Sequence, residues 1–120
     1  MIRYINCCRK LPELSNDDFR DYWQGAEFDE LVRRVAQMTS ASHYEKNLTL
    51  KVDMGRHLIE DRGLAEPYDG IIEYSWENAR HLPSVYSTDE GQALANQMQS
   101  FQSQFIDLEN STAFFTEHQT

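Results

Sequence analysis

Apolar and polar residues alternate with a period of two in four stretches of this chain, and apolar residues recur every three or four positions between them. The first alternating stretch runs from Ile2 to Arg9, with Ile2, Tyr4, Asn6 and Cys8 on one face and Arg3, Ile5, Cys7 and Arg9 on the other. Neither face is uniformly polar, which predicts a strand covered on both sides. Pro12 fits poorly in a sheet and marks a connection. Ser15 then offers a helix N-cap, with Asp17 and Asp18 at the positive end of the dipole. Phe19, Tyr22, Trp23 and Ala26 form one stripe, and Phe28, Leu31, Val32 and Val35 form another nearly opposite. A straight amphipathic helix keeps one apolar face. The phase change therefore predicts two helical segments, 16–24 and 28–38, with a break near Gly25 to Glu27.

Ser40 to Lys51 reads as a second strand, with Tyr44, Leu48 and Leu50 facing one way and His43, Glu45, Asn47 and Thr49 the other. Val52 to Pro67 reads as a long charged connection with at most a short helical turn around 58–61. Such a segment is either a lid over a pocket or a solvated loop. Tyr68 to Glu77 is the third strand, alternating Ile72, Tyr74 and Trp76 with Ile71, Glu73 and Ser75. A short helix around Ala79, Leu82 and Val85 is limited by Pro83. Ser87 and Glu90 suggest a capping box for the next helix. Its stripe is Leu94, Met98, Phe101, Phe105 and Leu108. Glu109 to His118 closes the chain as a fourth strand.

The order β-α-β, β-α-β is the split βαβ, ferredoxin-like arrangement, an α+β fold whose helices cover one face of a four-stranded antiparallel sheet. Ile5, Ile71, Ile72, Tyr74, Trp76, Phe114 and Phe115 leave apolar or aromatic side chains on both faces. An open aromatic face is a large exposed patch. A second copy packed sheet against sheet with twofold symmetry removes it, so a homodimer through the sheet faces is expected.

Length and charge narrow the picture. A chain of 120 residues fits one domain, taken as 1–120. The formal charge of −9 argues against nucleic acid and anionic membrane surfaces as partners. No stretch approaches a membrane-spanning length, and the first residues carry no signal pattern. Cys7 and Cys8 are the only cysteines. Adjacent strand residues point to opposite faces, so a bond between them strains the backbone. Both are expected to be reduced, which suggests the cytoplasm. A reactive vicinal pair is the other reading.

Several phrases together resemble the EthD-like family of dimeric α/β-barrel proteins. In "CRKLPELSNDDFRDYW" a strand leads through a Pro-containing turn to Phe19, Tyr22 and Trp23. "PYDGIIEYSW" is similar to that family's third strand, and "STDEGQALANQMQSFQSQFIDL" followed by "FFTEH" to its last helix and closing strand. The resemblance spans nearly the whole chain and implies a dimeric α/β barrel with a pocket between sheet and helices in each subunit. It also implies a role in oxidative breakdown, or in cyclising and dehydrating, of hydrophobic organic compounds, without a cofactor. Two departures stand out. Glu27 and Phe28 occupy the region where family members often carry a His, and Phe101, Gln102 and Gln104 stand where acidic residues are common.

Candidate chemistry is sparse. No phosphate loop, paired-Cys zinc spacing or nucleophile elbow occurs. His43, His57, His81 and His118 lack the spacing of a helical metal site, so no metal is expected. His43 is a candidate general base, or an ordinary strand-edge histidine. Glu73 is an acid in an apolar strand, either a carboxyl of raised pKa or a partner for Arg3 or Arg9. Tyr22 is a candidate phenol donor beside Trp23, or both are core. Tyr4, Asn6, Trp23, Trp76 and His118 are expected to line a pocket for a small hydrophobic or aromatic molecule. Two functions stay open: a small-molecule enzyme using acid/base chemistry, or a non-catalytic binding or accessory protein.

Overall fold

The computed structural model describes residues 1–119. Four strands form one sheet, β1 (Ile2–Cys8), β2 (His43–Leu48), β3 (Gly70–Trp76) and β4 (Thr112–Glu117). They lie in the order β2-β3-β1-β4, with every pair antiparallel. This is the ferredoxin-like sheet that the order of elements predicts. Residue pairs such as Tyr4↔Tyr74, Tyr4↔Phe115 and Tyr44↔Tyr74 fix the register. That register puts Tyr4, Asn6, Tyr44, Lys46, Ile72, Tyr74, Trp76 and Phe115 on the face beneath the helices. Arg3, Ile5, Cys7, His43, Glu45, Ile71, Glu73 and Phe114 take the open face, because side chains alternate along a strand.

The first helical stretch is broken as its stripes require, into α1 (Asn16–Trp23) and α2 (Ala26–Met38). Ser15 Oγ accepts the Asp18 amide at 3.0 Å and caps α1. Gly25 caps α2 and donates its own N–H to the Tyr22 carbonyl at 3.2 Å. The bend lets Phe19 and Trp23 from one stripe, and Phe28, Leu31, Val32 and Val35 from the other, enter the same core. Phe28, Phe105, Ile72, Ile106, Val32 and Cys8 are among its fully buried members.

Two expectations need correction. The connection from Val52 to Pro67 contains a ten-residue helix, α3 (Asp53–Arg62), rather than a short turn. Asp53 and Arg62 suit the two ends of its dipole. Gly63, at φ 63°, adopts the left-handed conformation that closes it, and the Leu64 amide returns to the Ile59 carbonyl at 3.0 Å. None of its residues is buried, so no apolar stripe announced it. The other correction concerns the last helix. After α4 (Leu82–Tyr86), α5 (Asp89–Gln102) is capped by Thr88, whose Oγ1 accepts the Gly91 amide at 3.0 Å. Ser87 bonds the Pro83 carbonyl and ends α4 instead. Helix α5 stops at Gln102, so Phe105 reaches the core from the turn beyond it, and Leu108 lies exposed in a 3₁₀ turn.

Candidate functional site

A cavity of about 310 Å³ lies between the covered face of the sheet and the helices. Its floor is Tyr4 and Asn6 from β1, Ile72, Tyr74 and Trp76 from β3, and Phe115 from β4. Its roof is Val35 from α2, Leu82 and Tyr86 from α4, and Ala95, Met98, Gln99 and Gln102 from α5. The volume lies at the lower end of the range for small-molecule pockets, roughly 300–1,000 Å³. Alternation along β1 and β3 brings the floor residues to one face. On α5, Ala95, Gln99 and Gln102 follow at helical spacing, and the small side chain at Ala95 leaves room between them.

The aromatic rings pack edge-to-face, tilted and stacked around this space. Tyr4 meets Phe115 at 5.3 Å and Tyr74 at 6.2 Å between centroids, and Trp76 lies 6.2 Å from Tyr74. These are the tilted and offset distances at which aromatic pairs attract. The Trp76 indole N–H donates to the Thr39 carbonyl at 2.9 Å, and the Tyr74 hydroxyl donates to the Val32 carbonyl at 3.4 Å. Both groups are occupied in holding sheet to helix. Burial pushes the phenols of Tyr4, Tyr74 and Tyr86 above their ordinary range. For Tyr4 the neighbouring Tyr86 and Cys8 add to the effect, and for Tyr74 the other tyrosines do. At neutral pH these hydroxyls are protonated donors, not bases. No His, Asp, Glu, Lys or Arg lines the cavity among the described residues.

Of the residues singled out from the sequence, Tyr4, Asn6 and Trp76 meet around this cavity. Trp23 is buried elsewhere, stacked on Phe19 at 5.5 Å and edge-on to Phe28 at 5.3 Å. It fits there because Gly70 has no side chain: a Cβ at Gly70 falls 2.5 Å from the indole ring. Tyr22 stacks on Phe105 at 5.0 Å and faces an outer groove with Leu14, Asp18 and Asp21. His118 follows β4, is exposed, and its amide donates to the Met1 carbonyl at 3.1 Å.

His43 and Glu73 lie together, but on the open face of the sheet. His43 Nε2 is 3.6 Å from Glu45 Oε2, and Glu45 faces Glu73 across the β2–β3 pair. Burial and then the neighbouring Glu45 carboxylate push the Glu73 carboxyl up, while the neighbouring Glu73 carboxyl and then His43 hold Glu45 down. Both carboxyls lie on a face that the sheet separates from the cavity. The structure does not bring His43, Glu73 and Tyr22 around one space.

The remaining cavity residues were missed by sequence reasoning. Tyr74 was legible as a face-mate of Trp76, whereas Phe115 joins Tyr4 only through the register of β1 with β4. Gln99 and Gln102, polar positions beside the apolar stripe of α5, were the available signal for the roof. A shallower depression of about 420 Å³ lies between α2 and β2, but its charged groups already pair, Arg33 with Glu30 and Lys46 with Asp29. Lys46 also donates to the Trp23 carbonyl and lies over the Phe28 ring at 4.9 Å.

Sheet order, helix placement and cavity define a ferredoxin-like α+β protein. No protein-family model and no curated protein matches the sequence. Solved structures share its fold over nearly its whole length. A dimeric protein of ferredoxin-like fold and unknown function from Bacteroides fragilis is 9% identical, with a TM-score of 0.62, covering 98% of this chain and 95% of its own. A protein of the ethyl tert-butyl ether D (EthD) family from Bacillus halodurans is 14% identical, with a TM-score of 0.60, covering 99% of this chain and 100% of its own. SnoaB, a cofactor-independent oxygenase from Streptomyces nogalater, is 9% identical, with a TM-score of 0.57, covering 99% of this chain and 94% of its own. At these identities the likeness establishes the fold and leaves the chemistry to the site.

Proposed function

We propose that this protein binds a small, hydrophobic, ring-containing molecule between its sheet and its helices. The observation that carries this reading is the cavity of about 310 Å³, walled by Tyr4, Tyr74, Trp76, Tyr86 and Phe115. Asn6, Gln99 and Gln102 add amide groups at its surface. Aromatic walls with a few polar groups orient a flat ligand that carries oxygen or nitrogen acceptors. The absence of a group that changes charge near neutrality favours holding the molecule over proton transfer to it, among the described residues.

A second reading is conversion of that molecule without a cofactor, in the manner implied by the EthD-like resemblance. The fold likeness to SnoaB supports it. Under it, Tyr4 and Asn6 act as donors to negative charge developing on a substrate oxygen. His43, Glu73 and Tyr22 take no part in this reading, since none of them lines the cavity.

The working form in either reading is a homodimer. Ile5, Cys7 and Ile71 on the two central strands, and the 46%-exposed Phe114 on the edge strand β4, give the open face apolar ground, and the Bacteroides fragilis protein is dimeric. A second copy covers that face most simply.

The test uses N-phenyl-1-naphthylamine, a neutral aromatic probe that brightens in apolar surroundings. The expected result is saturable uptake, read from the probe's own emission, weakened about tenfold or more by Ala95→Trp or Met98→Trp, which fill the roof. Uptake that ignores both substitutions, in variants with unchanged melting temperature, overturns the cavity as the binding site.

A further inference from the structure

We infer that the molecule held in this cavity is an amphiphilic organic monoanion, an aromatic or otherwise apolar body carrying one carboxylate or comparable acidic group, and that Arg80 receives the charge. This rests on the cavity being a binding site, as proposed above.

The cavity does not end at its own walls. Leu82, Tyr86 and Phe115 also line an apolar groove of about 630 Å³ that continues past α4, with Ile2 and Pro83 on its sides. We read cavity and groove, which share these three side chains, as one path for a body longer than a single ring. Arg80 is the one charged residue along this path among the described residues.

Arg80 is also free. Its backbone N–H donates to Asn78 Oδ1 at 3.2 Å, which holds the turn before α4, but its guanidinium has no carboxylate within bonding distance among the described residues. Other arginines have work within the fold. Arg33 pairs with Glu30, Arg56 with Glu66, Arg34 with Gln97, and Arg9 bonds the Glu66 and Pro67 carbonyls and lies over Tyr68. Arg3, Arg20 and Arg62 lack a carboxylate as well, yet none of them lines the cavity or the groove.

The sign of the charge is informative against its background. With 20 acidic and 11 basic residues, the surface as a whole repels anions. An unneutralised guanidinium at the open end of an apolar path offsets that repulsion locally and matches a carboxylate in a two-toothed geometry. Inside, the phenols of Tyr4 and Tyr86 and the amides supply donors for further oxygen atoms. A neutral ligand leaves Arg80 unused, and a cation meets repulsion at the mouth.

Two probes of one shape test this. 8-Anilinonaphthalene-1-sulfonate carries a negative charge on the same aromatic body as neutral N-phenyl-1-naphthylamine. Fluorescence titrations of the intact protein at low salt are expected to show Arg80→Gln weakening the anionic probe by about two- to fivefold, the range for a solvent-exposed ion pair. The neutral probe is expected to hold its affinity, and the difference to shrink as salt screens the charge. Arg80→Glu is expected to weaken the anion further. Equal loss for both probes, or none for either, overturns the role of Arg80 while leaving the cavity standing. Indifference of both probes to Ala95→Trp overturns the cavity reading, and this inference with it.

Discussion

Replacing Gly70 by alanine is a small change that the structure makes costly. A Cβ built there lies 2.5, 2.6 and 2.8 Å from Cη2, Cζ2 and Cζ3 of the Trp23 indole. Carbon atoms rest against one another at roughly 3.5–4.0 Å, so strand and ring must part by about 1 Å. The ring has little freedom to move, being 2% exposed and held between Phe19 and Phe28. Overpacking of this kind costs about 1–3 kcal/mol. Removing a glycine from a strand returns roughly 0.5–1 kcal/mol of backbone entropy. The net expectation is a loss of about 1–2 kcal/mol, seen as a fall in melting temperature of roughly 4–10 °C for a chain of this size. Urea and thermal unfolding, followed by circular dichroism, give the number. Trp23→Leu opens the space, so adding Gly70→Ala to that variant is expected to cost nothing more. A neutral or stabilising Gly70→Ala, or an equal cost in both backgrounds, refutes the packing argument. Trp23→Leu is itself destabilising by about 2–4 kcal/mol. It is expected to leave uptake of N-phenyl-1-naphthylamine intact, since Trp23 does not touch the cavity.

Two further outcomes follow from the geometry. Asp69 accepts the Lys10 amide and the Lys51 ammonium, each at 2.8 Å. Burial pushes its carboxyl up, but these bonds outweigh burial and hold it below its ordinary value. A depressed folded pKa adds stability above the unfolded value, about 3.9, that is lost as pH falls through the lower folded value. Asp69→Ala is therefore expected to cost about 1.5–3 kcal/mol at pH 7 and progressively less in acid, and a pH-independent cost in urea titrations contradicts this. Phe114→Glu places a charge on the open face, on the edge strand β4 beside Ile5. Native mass spectrometry is expected to find wild-type dimers and variant monomers, and a wild-type monomer at micromolar concentration sinks the sheet-to-sheet arrangement.

The elements that could be read in advance are those whose pattern is local. The break at Gly25 followed from two stripes out of phase, and Ser15 announced α1 by its own side chain. The strands of the sheet showed themselves by alternation, and their order with the helices pointed to the split βαβ fold. Helix α3 lacked any such mark, because it buries nothing and its cap at Gly63 reads equally well as a turn. Ser87 read as the cap of α5, but the path of the chain after α4 gave that place to Thr88.

The sequence by itself determined which residues share a face, since a period of two is set by the backbone. It placed Tyr4 with Asn6, Tyr74 with Trp76, and His43 with Glu45 before any contact was known. Only the tertiary structure decided which face the helices cover, because that depends on how α1, α2, α4 and α5 cross the sheet. That choice put Tyr4, Asn6 and Trp76 around the cavity and left His43 and Glu73 on the open side. It also set Trp23 against Gly70 and brought Arg80 to an apolar groove. Neither pairing has a signature in sequence, for each joins residues that only the fold brings within reach.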